Sequence, residues 1–290
     1  METKNINKKP LKKRVINVLV HVFLAVLAFI WLLPIAWIVL TSFRAEPGSY
    51  VSTFFPKSYT LNNYVKLFTD RNLLNFPQMF ANTLLIAVCT CIVSSFFVLS
   101  VSYCTSRLRF KLRKAYMNMA MILGLFPGFM SMVAVYFILK ALGMSQGGMI
   151  RVSLVIVYSA GAGLGFQIAK GFFDTIPKGI DEAAMMDGAT QWDIFTKITI
   201  PLSKPIIVYT ILTAFIGPWV DFIFAKVICG AEAKYFTVAI GLWNMLQKEY
   251  IHSWYTCFAA GAVVISIPIA TLFVFTQKFY VDGMAGAVKG

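Results

Sequence analysis

The sequence predicts an all-α integral membrane protein with six transmembrane helices, and three observations carry that prediction. First, 59% of the 290 residues are hydrophobic and only 13% are charged, against roughly 25% charged in ordinary soluble domains. Too little charged surface remains to keep so much apolar chain in water. Second, the apolar residues fall in long uncharged runs, six of which approach the roughly 20 residues that a spanning helix needs. Third, the 26 Lys and Arg cluster in short segments between those runs. The net charge of +14 therefore reads as a topology signal and not as the basic face of a nucleic-acid binder.

The elements follow in order. Residues 1–14 form a basic tail, and 15–290 form the transmembrane domain. The first span, 18–41, lies in a charge-free run that is too long for a signal peptide and lacks a small-residue cleavage site. The segment 44–78 is polar, and Pro47, Pro56 and Pro77 mark it as irregular or only partly helical. The second span is 81–105. The third, 115–139, is bounded by Lys114 and Lys140, and the fourth and shortest, 152–169, by Arg151 and Lys170. A polar loop, 170–204, leads to the fifth span, 205–228, which holds Asp221 and Lys226. The segment 230–255 contains an apolar-aromatic stretch from Val238 to Leu246. The sixth span is 256–277, with a tail over 278–290. No long repeat is visible.

Lys and Arg set the orientation. The basic tail, the run Arg107, Arg109, Lys111, Arg113 and Lys114, the loop 170–204 and the final tail carry most of them. Both termini and the loop 170–204 are therefore expected in the cytoplasm, with 44–78 and 230–255 outside.

Chemistry is absent where an enzyme would need it. The five cysteines (Cys89, Cys91, Cys104, Cys229, Cys257) show neither a disulfide framework nor paired metal-ligand spacing. No GxxxxGK[ST], HExxH or GxSxG occurs, and the two histidines, His21 and His252, have no obvious partner. No catalytic residue, metal or cofactor is expected, and the chain is not expected to be an enzyme.

The loop 170–204 carries the strongest signal. Pro177 suits the first turn of a helix, and Ile180, Ala183, Ala184 and Asp187 fall on one face at i, i+3, i+4 and i+7. Gly188 suits a left-handed turn that ends this helix. Thr190 can cap a second helix that shows Trp192, Phe195 and Ile198, and Pro201 and Pro205 interrupt the backbone before the fifth span. Such a bracket fits a groove on a cytoplasmic partner. The alternative, lying on lipid, is disfavoured because five acids outnumber four bases in the loop and anionic leaflets attract basic faces.

Glu182-Ala183-Ala184, then Gly188, Ile198 and Ile200-Pro201 resemble the EAA loop of bacterial ABC-importer permeases, with Ile200 standing where that family usually has Leu. The ending from Val281 to Gly290 resembles the tail of carbohydrate permeases of the maltose/maltodextrin type (MalG-like). The resemblance covers the whole chain. It implies a type I ABC importer permease, in which this loop is a cytoplasmic coupling helix seated in a cleft of an ABC ATPase dimer. Glu182 would be the charged contact, Ala183 and Ala184 the close-packed face, Gly188 the turn, with Asp187, Ile198 and Pro201 completing the motif. Gly286 and Lys289 of the tail would also reach the ATPase, which would bind ATP and Mg. The implied partners are a second homologous permease, that ATPase, an external solute-binding protein, a sugar (an oligosaccharide such as maltodextrin) and the lipid bilayer, with no nucleic acid. The membrane would be a bacterial inner membrane, and the alternative cargo is a non-sugar solute.

Within the spans, Asp221 is the one acid, at a cost of roughly 2.5–3.5 kcal/mol at a helix centre. It follows Gly217-Pro218-Trp219-Val220, where Gly and Pro interrupt the helix. Asp221 and Trp219 are candidates for the translocation path, the indole as a surface for sugar stacking. The alternative for Asp221 is pairing with Lys226 or a neighbouring span. Asn82 and Gln167 are weaker candidates, better suited to interhelical hydrogen bonds. The glycine pairs Gly124/Gly128 and Gly161/Gly165 point to close helix packing, and Pro127 to a gating kink. By position, Trp243 and Asn244 resemble the loop that probes the binding protein in maltose-type systems, with an interfacial aromatic anchor as the alternative.

Overall fold

The computed structural model describes residues 11–49, 53–125, 128–162 and 165–287. Among these residues the chain is helical, apart from loops and one isolated bridge between Arg44 and Tyr59. Long apolar stretches have little choice in a membrane, because a helix satisfies every backbone donor and acceptor within its own segment.

Three helices are long and apolar enough to span on their own: α1 (Leu11–Ser42), α3 (Phe76–Arg107) and α14 (Ile251–Ala287). Between α1 and α3 lies only the short α2 (Asn62–Thr69). Helices α4 (Arg113–Gly124) and α5 (Gly128–Ala141) cover the third expected span, whose Pro127 lies outside the described residues. The fourth is a bent pair, α6 (Met149–Ala162) and α7 (Phe166–Thr175), with a 43° bend. Counting each bent pair as one span gives up to five. The last helix continues through Gly286 to Ala287, so the expected tail after 277 is largely helix. Lys289 lies outside the described residues.

The fifth span differs from its expected form. Helix α11 (Lys204–Val220) keeps Pro218 inside it and ends two residues later. Asp221 and Phe222 break the chain, and α12 (Ile223–Cys229) follows. The interruption sits at the acid and not at Gly217-Pro218. The reason is that Asp221 adopts an extended conformation (φ −80°, ψ 114°) and its carboxylate caps the next helix.

Helix α3 is the axis of the bundle and packs against α6, α7 and α11, while α14 packs against α11, α1 and α2. Two buried clusters result. One surrounds Phe76, Trp219, Ile240 and Trp254 at the end carrying 230–250, where α13 (Val238–Met245) is embedded. The other surrounds Tyr103, Phe166, Phe173 and Ile194 at the end carrying 176–204. Helix α1 leaves an almost continuous apolar surface from Val15 to Leu33 exposed, as expected of a helix that meets lipid or another membrane subunit.

Gly241 and Gly261 mark the tight crossings: an added Cβ would stand 2.6 Å from Met79 Sδ and 2.7 Å from Leu242 Cδ2, respectively. Gly161 and Gly165 behave differently from expectation. An added Cβ at either meets nothing within 4 Å among the described residues, so neither marks close packing between the described helices.

Candidate functional site

The bracket begins where Pro177 stops a helix. A residue before proline is driven out of the helical region, and Ile176 is extended with ψ 125°. Helix α8 (Lys178–Met186) starts directly after Pro177. It ends at Gly188, whose φ of +86° is a left-handed conformation that favours glycine. The turn closes with Gly188 N–H donating to Met185 O at 3.0 Å and Ala189 N–H to Ala184 O at 2.9 Å.

Thr190 then caps α9 (Gln191–Asp193) through a reciprocal box: its hydroxyl accepts from Asp193 N–H, and the Asp193 carboxylate accepts from Thr190 N–H. The Lys197 ammonium and the two Thr190 donors hold the Asp193 carboxyl well below the usual range, so the box stays ionised at any physiological pH. A π turn (Ile194–Thr199) and α10 (Ile200–Leu202) carry the chain to an 84° bend into α11.

This bracket has an inner and an outer side. Asp181 is buried, and Ala184, Phe195 and Ile198 pack on the chain's own cluster, with the Phe195 ring 4.8 Å from that of Tyr103. Glu182, Ala183, Asp187, Gly188 and Pro201 are exposed. Met186 is 90% and Trp192 65% exposed, beside Ile180 and Met185. Of the two alanines expected to face a partner, only Ala183 is fully on the outside. Ala184 is half taken up by this chain, because Asp181 one turn earlier is drawn inward by Arg107.

The second feature is a cleft of about 490 Å³ among α3, α6, α11 and α12. Ser94, Tyr158, Tyr209, Thr210 and Thr213 give it hydroxyl groups, Gly161, Gly165 and Gly217 give it room, and no lining residue is charged. Asp221 stands behind this wall. Its Oδ2 accepts from Tyr158 OH at 2.8 Å, and the carboxylate accepts the N–H groups of Phe224 (3.2 Å) and Ala225 (3.3 Å). Asp221 is thus a helix cap that also fixes a cleft tyrosine, which is the neighbouring-span alternative. Lys226 does not pair with it; its Nζ lies over the Phe236 ring, 4.3 Å from the centroid. We predict that Asp221→Ala lowers stability by about 1–2 kcal/mol, the usual worth of a cap. At about 2–4 °C per kcal/mol, thermal unfolding of the purified protein followed by tryptophan fluorescence will register it.

Two path candidates are corrected. Trp219 is 1% exposed, with Phe80 and Phe215 rings 5.3 and 5.9 Å away; it belongs to the core and shows no face to a solute. Asn82 is also buried. Its amide donates to Lys234 O (2.9 Å) and Phe236 O (3.1 Å) and its Oδ1 accepts from Arg151 Nε (3.0 Å), which leaves it no free donor. Gln167 borders a separate hollow with Met121 and Leu125. Trp243 is 50% exposed and lies on Phe222 with centroids 4.7 Å apart, while Asn244 beside it is half-buried. Neighbours Val238, Ile240 and Met245 are fully buried, so an anchored helix presents this aromatic. His21 hydrogen-bonds within its own helix, to Asn17 O.

Sequence reasoning missed Tyr158 and Tyr209, which nothing local separates from other apolar-run tyrosines. It also missed Tyr103, Ser106 and Arg107 at the end of α3, since Arg107 sits in a basic run read only as topology. The hollows and ion pairs that distinguish these residues exist only after folding.

Comparison with known proteins agrees with this architecture. Residues 100–285 match the family described as "Binding-protein-dependent transport system inner membrane component". The chain is 33% identical over 272 residues to the galactooligosaccharides transport system permease protein GanQ of Bacillus subtilis (strain 168), covering 93% of this chain and 94% of that protein. It is 31% identical over 271 residues to the maltodextrin transport system permease protein MdxG of the same organism, covering 93% and 95%. In fold it resembles a chain of a bacterial ABC transporter involved in the import of the acidic polysaccharide alginate, with TM-score 0.75, 22% identity and coverage of 94% and 99%. The match over 186 of the 290 residues and the near-full-length relatives establish that the chain belongs to the family of inner membrane components of binding-protein-dependent transport systems.

Proposed function

We propose that the chain is one of two permease subunits of an ATP-driven importer of a neutral oligosaccharide. As a member of its family it is a permease subunit and not itself an enzyme. The observation that carries the coupling role is the bracket 178–202: a capped double helix at one end of the bundle that exposes Ile180, Met185, Met186 and Trp192 among charged and polar residues. Exposed apolar groups on a stiff frame suit a helix-in-groove contact, and the groove belongs to a cytoplasmic ATPase that supplies ATP hydrolysis. Glu182, Ala183, Asp187 and Gly188 form the outer contact, with Ile198 and Pro201 shaping its base. Gly286 and Lys289 extend the contact from the tail.

In this reading the membrane is a bacterial inner membrane crossed six times. The third crossing is α4 with α5, which brings the count to six, and α11 with α12 is one broken span. Both termini and the bracket are cytoplasmic. The cleft beside Tyr158, Tyr209 and Thr213 is this subunit's wall of the translocation path, with Asp221 fixing Tyr158. Hydroxyl and aromatic groups without a charge suit a sugar, in line with the cargo named for the relatives. Trp243 and Asn244 meet the external binding protein.

The test is mild-detergent purification of the tagged chain from its own cell, with mass spectrometry of its companions. An ATPase and a second permease are expected. The recovered assembly, reconstituted with its binding protein, is expected to take up labelled maltotriose in preference to putrescine or phosphate. A chain recovered alone would overturn the importer reading, and preferential uptake of the other solutes would overturn the sugar.

A further inference from the structure

The last turn of α3 holds the bracket by three side chains at i, i+3 and i+4. Tyr103 OH lies 3.1 Å from Gln191 O and 3.0 Å from Gln191 Oε1. Ser106 Oγ donates to Asp174 Oδ1 at 2.6 Å. Arg107 donates from Nη2 to Ile176 O at 2.9 Å, and its Nε faces Asp181 Oδ2 at 3.2 Å. The spacing puts all three on one helix face, and their partners lie at the end of α7, in the hinge at Ile176, on α8 and on α9. Both helices of the bracket are therefore tied to a single helix.

The ion pair is the deepest of these ties. The Arg107 and Asp181 side chains are 4% and 11% exposed. Arg107 Nη1 and Asp181 Oδ1 have no hydrogen-bond partner among the described residues. A buried pair left half-satisfied is a poor stability device compared with apolar packing, yet removing one partner leaves the other charge stranded. Such a pair forces two elements to move together. The same α3, some thirteen and nine residues earlier, supplies Ser94 and Val98 to the cleft.

We propose that Arg107 and Asp181 are positioning residues that make α3 and the coupling bracket one rigid lever, carrying closure of the ATPase to the wall of the cleft. Glu182 faces the ATPase and its neighbour Asp181 faces the lever. The proposal rests on the docking role given to the bracket above.

The test uses the complete assembly purified from its own cell, with native cysteines replaced and Thr213→Cys, at an exposed position of the cleft wall beside α3, added as a reporter. Maleimide labelling of that cysteine is measured with and without ATP and vanadate, together with ATPase recovery. With the pair intact, trapping nucleotide is expected to change the labelling rate about tenfold, within the ordinary range of coupling between sites. In Arg107→Met the ATPase is expected to remain bound while the nucleotide dependence is lost. In the exchanged pair, Arg107→Asp with Asp181→Arg, most of the dependence is expected to return.

Nucleotide dependence retained in Arg107→Met would overturn the proposal. So would loss of the ATPase from that variant, which would make the pair a mere support of the docking surface, or failure of the exchange to restore the response in an assembled complex. Absence of the ATPase from the unmodified assembly would instead overturn the docking role itself, and the lever with it.

Discussion

Glu182→Lys is expected to abolish transport-linked ATP hydrolysis while the chain still inserts and folds. Glu182 is exposed at the outer side of α8, and among the described residues it takes part in no ion pair. Reversal of its charge therefore disturbs little of the subunit. In a docked complex the consequence is different. Truncating one partner of a buried charged contact costs roughly 2–5 kcal/mol, and reversal adds repulsion to that loss. At 1.4 kcal/mol per tenfold, docking would weaken by at least roughly 30-fold. The measurements are recovery of the ATPase with the tagged variant and stimulation of hydrolysis by the binding protein. Unchanged stimulation would remove Glu182 from the contact. The neighbouring Asp181 gives the contrast, because it points into the subunit and its loss is expected to disconnect the machine without detaching the ATPase.

How much of this was legible depends on the range of the interaction concerned. Capping by Thr190 and the left-handed turn at Gly188 are local, set by residues within five positions of one another, and the sequence carries them openly. The rotation of α8 is not local. It is decided by Arg107, more than seventy positions earlier, and no periodicity within 178–186 encodes that partner. Asp221 illustrates the same limit: an acid in an apolar run is conspicuous, but only folding reveals that it caps α12 and holds Tyr158 of α6. Gly161 and Gly165 fit a packing motif by spacing alone, and their open surroundings put them in the cleft wall instead. Apolar runs predict helix well because hydrocarbon forces helices; they do not predict where a run will break.

Trp219 separates these two kinds of evidence most sharply. Beside an intramembrane acid, its sequence position suits a sugar platform, whereas its burial against Phe80 and Phe215 makes it core. The two roles predict opposite results. As a core residue, Trp219→Ala removes a large side chain and leaves a cavity, at about 3–5 kcal/mol. With about 2–4 °C per kcal/mol for a chain of this size, the unfolding midpoint should fall by about 6–20 °C and little folded subunit should reach the membrane. Trp219→Phe should be well tolerated, since a ring still meets both neighbours and the indole Nε1 it deletes has no hydrogen-bond partner among the described residues. A platform would behave the other way: both substitutions would raise the KM for sugar uptake at unchanged stability, and phenylalanine would recover only part of the stacking. The cleft tyrosine supplies the control. Tyr209 is partly exposed and lines the cavity, so Tyr209→Ala should cost transport without the loss of stability expected at Trp219. Uptake kinetics and thermal midpoints measured on the same three variants therefore assign one aromatic to the core and the other to the path.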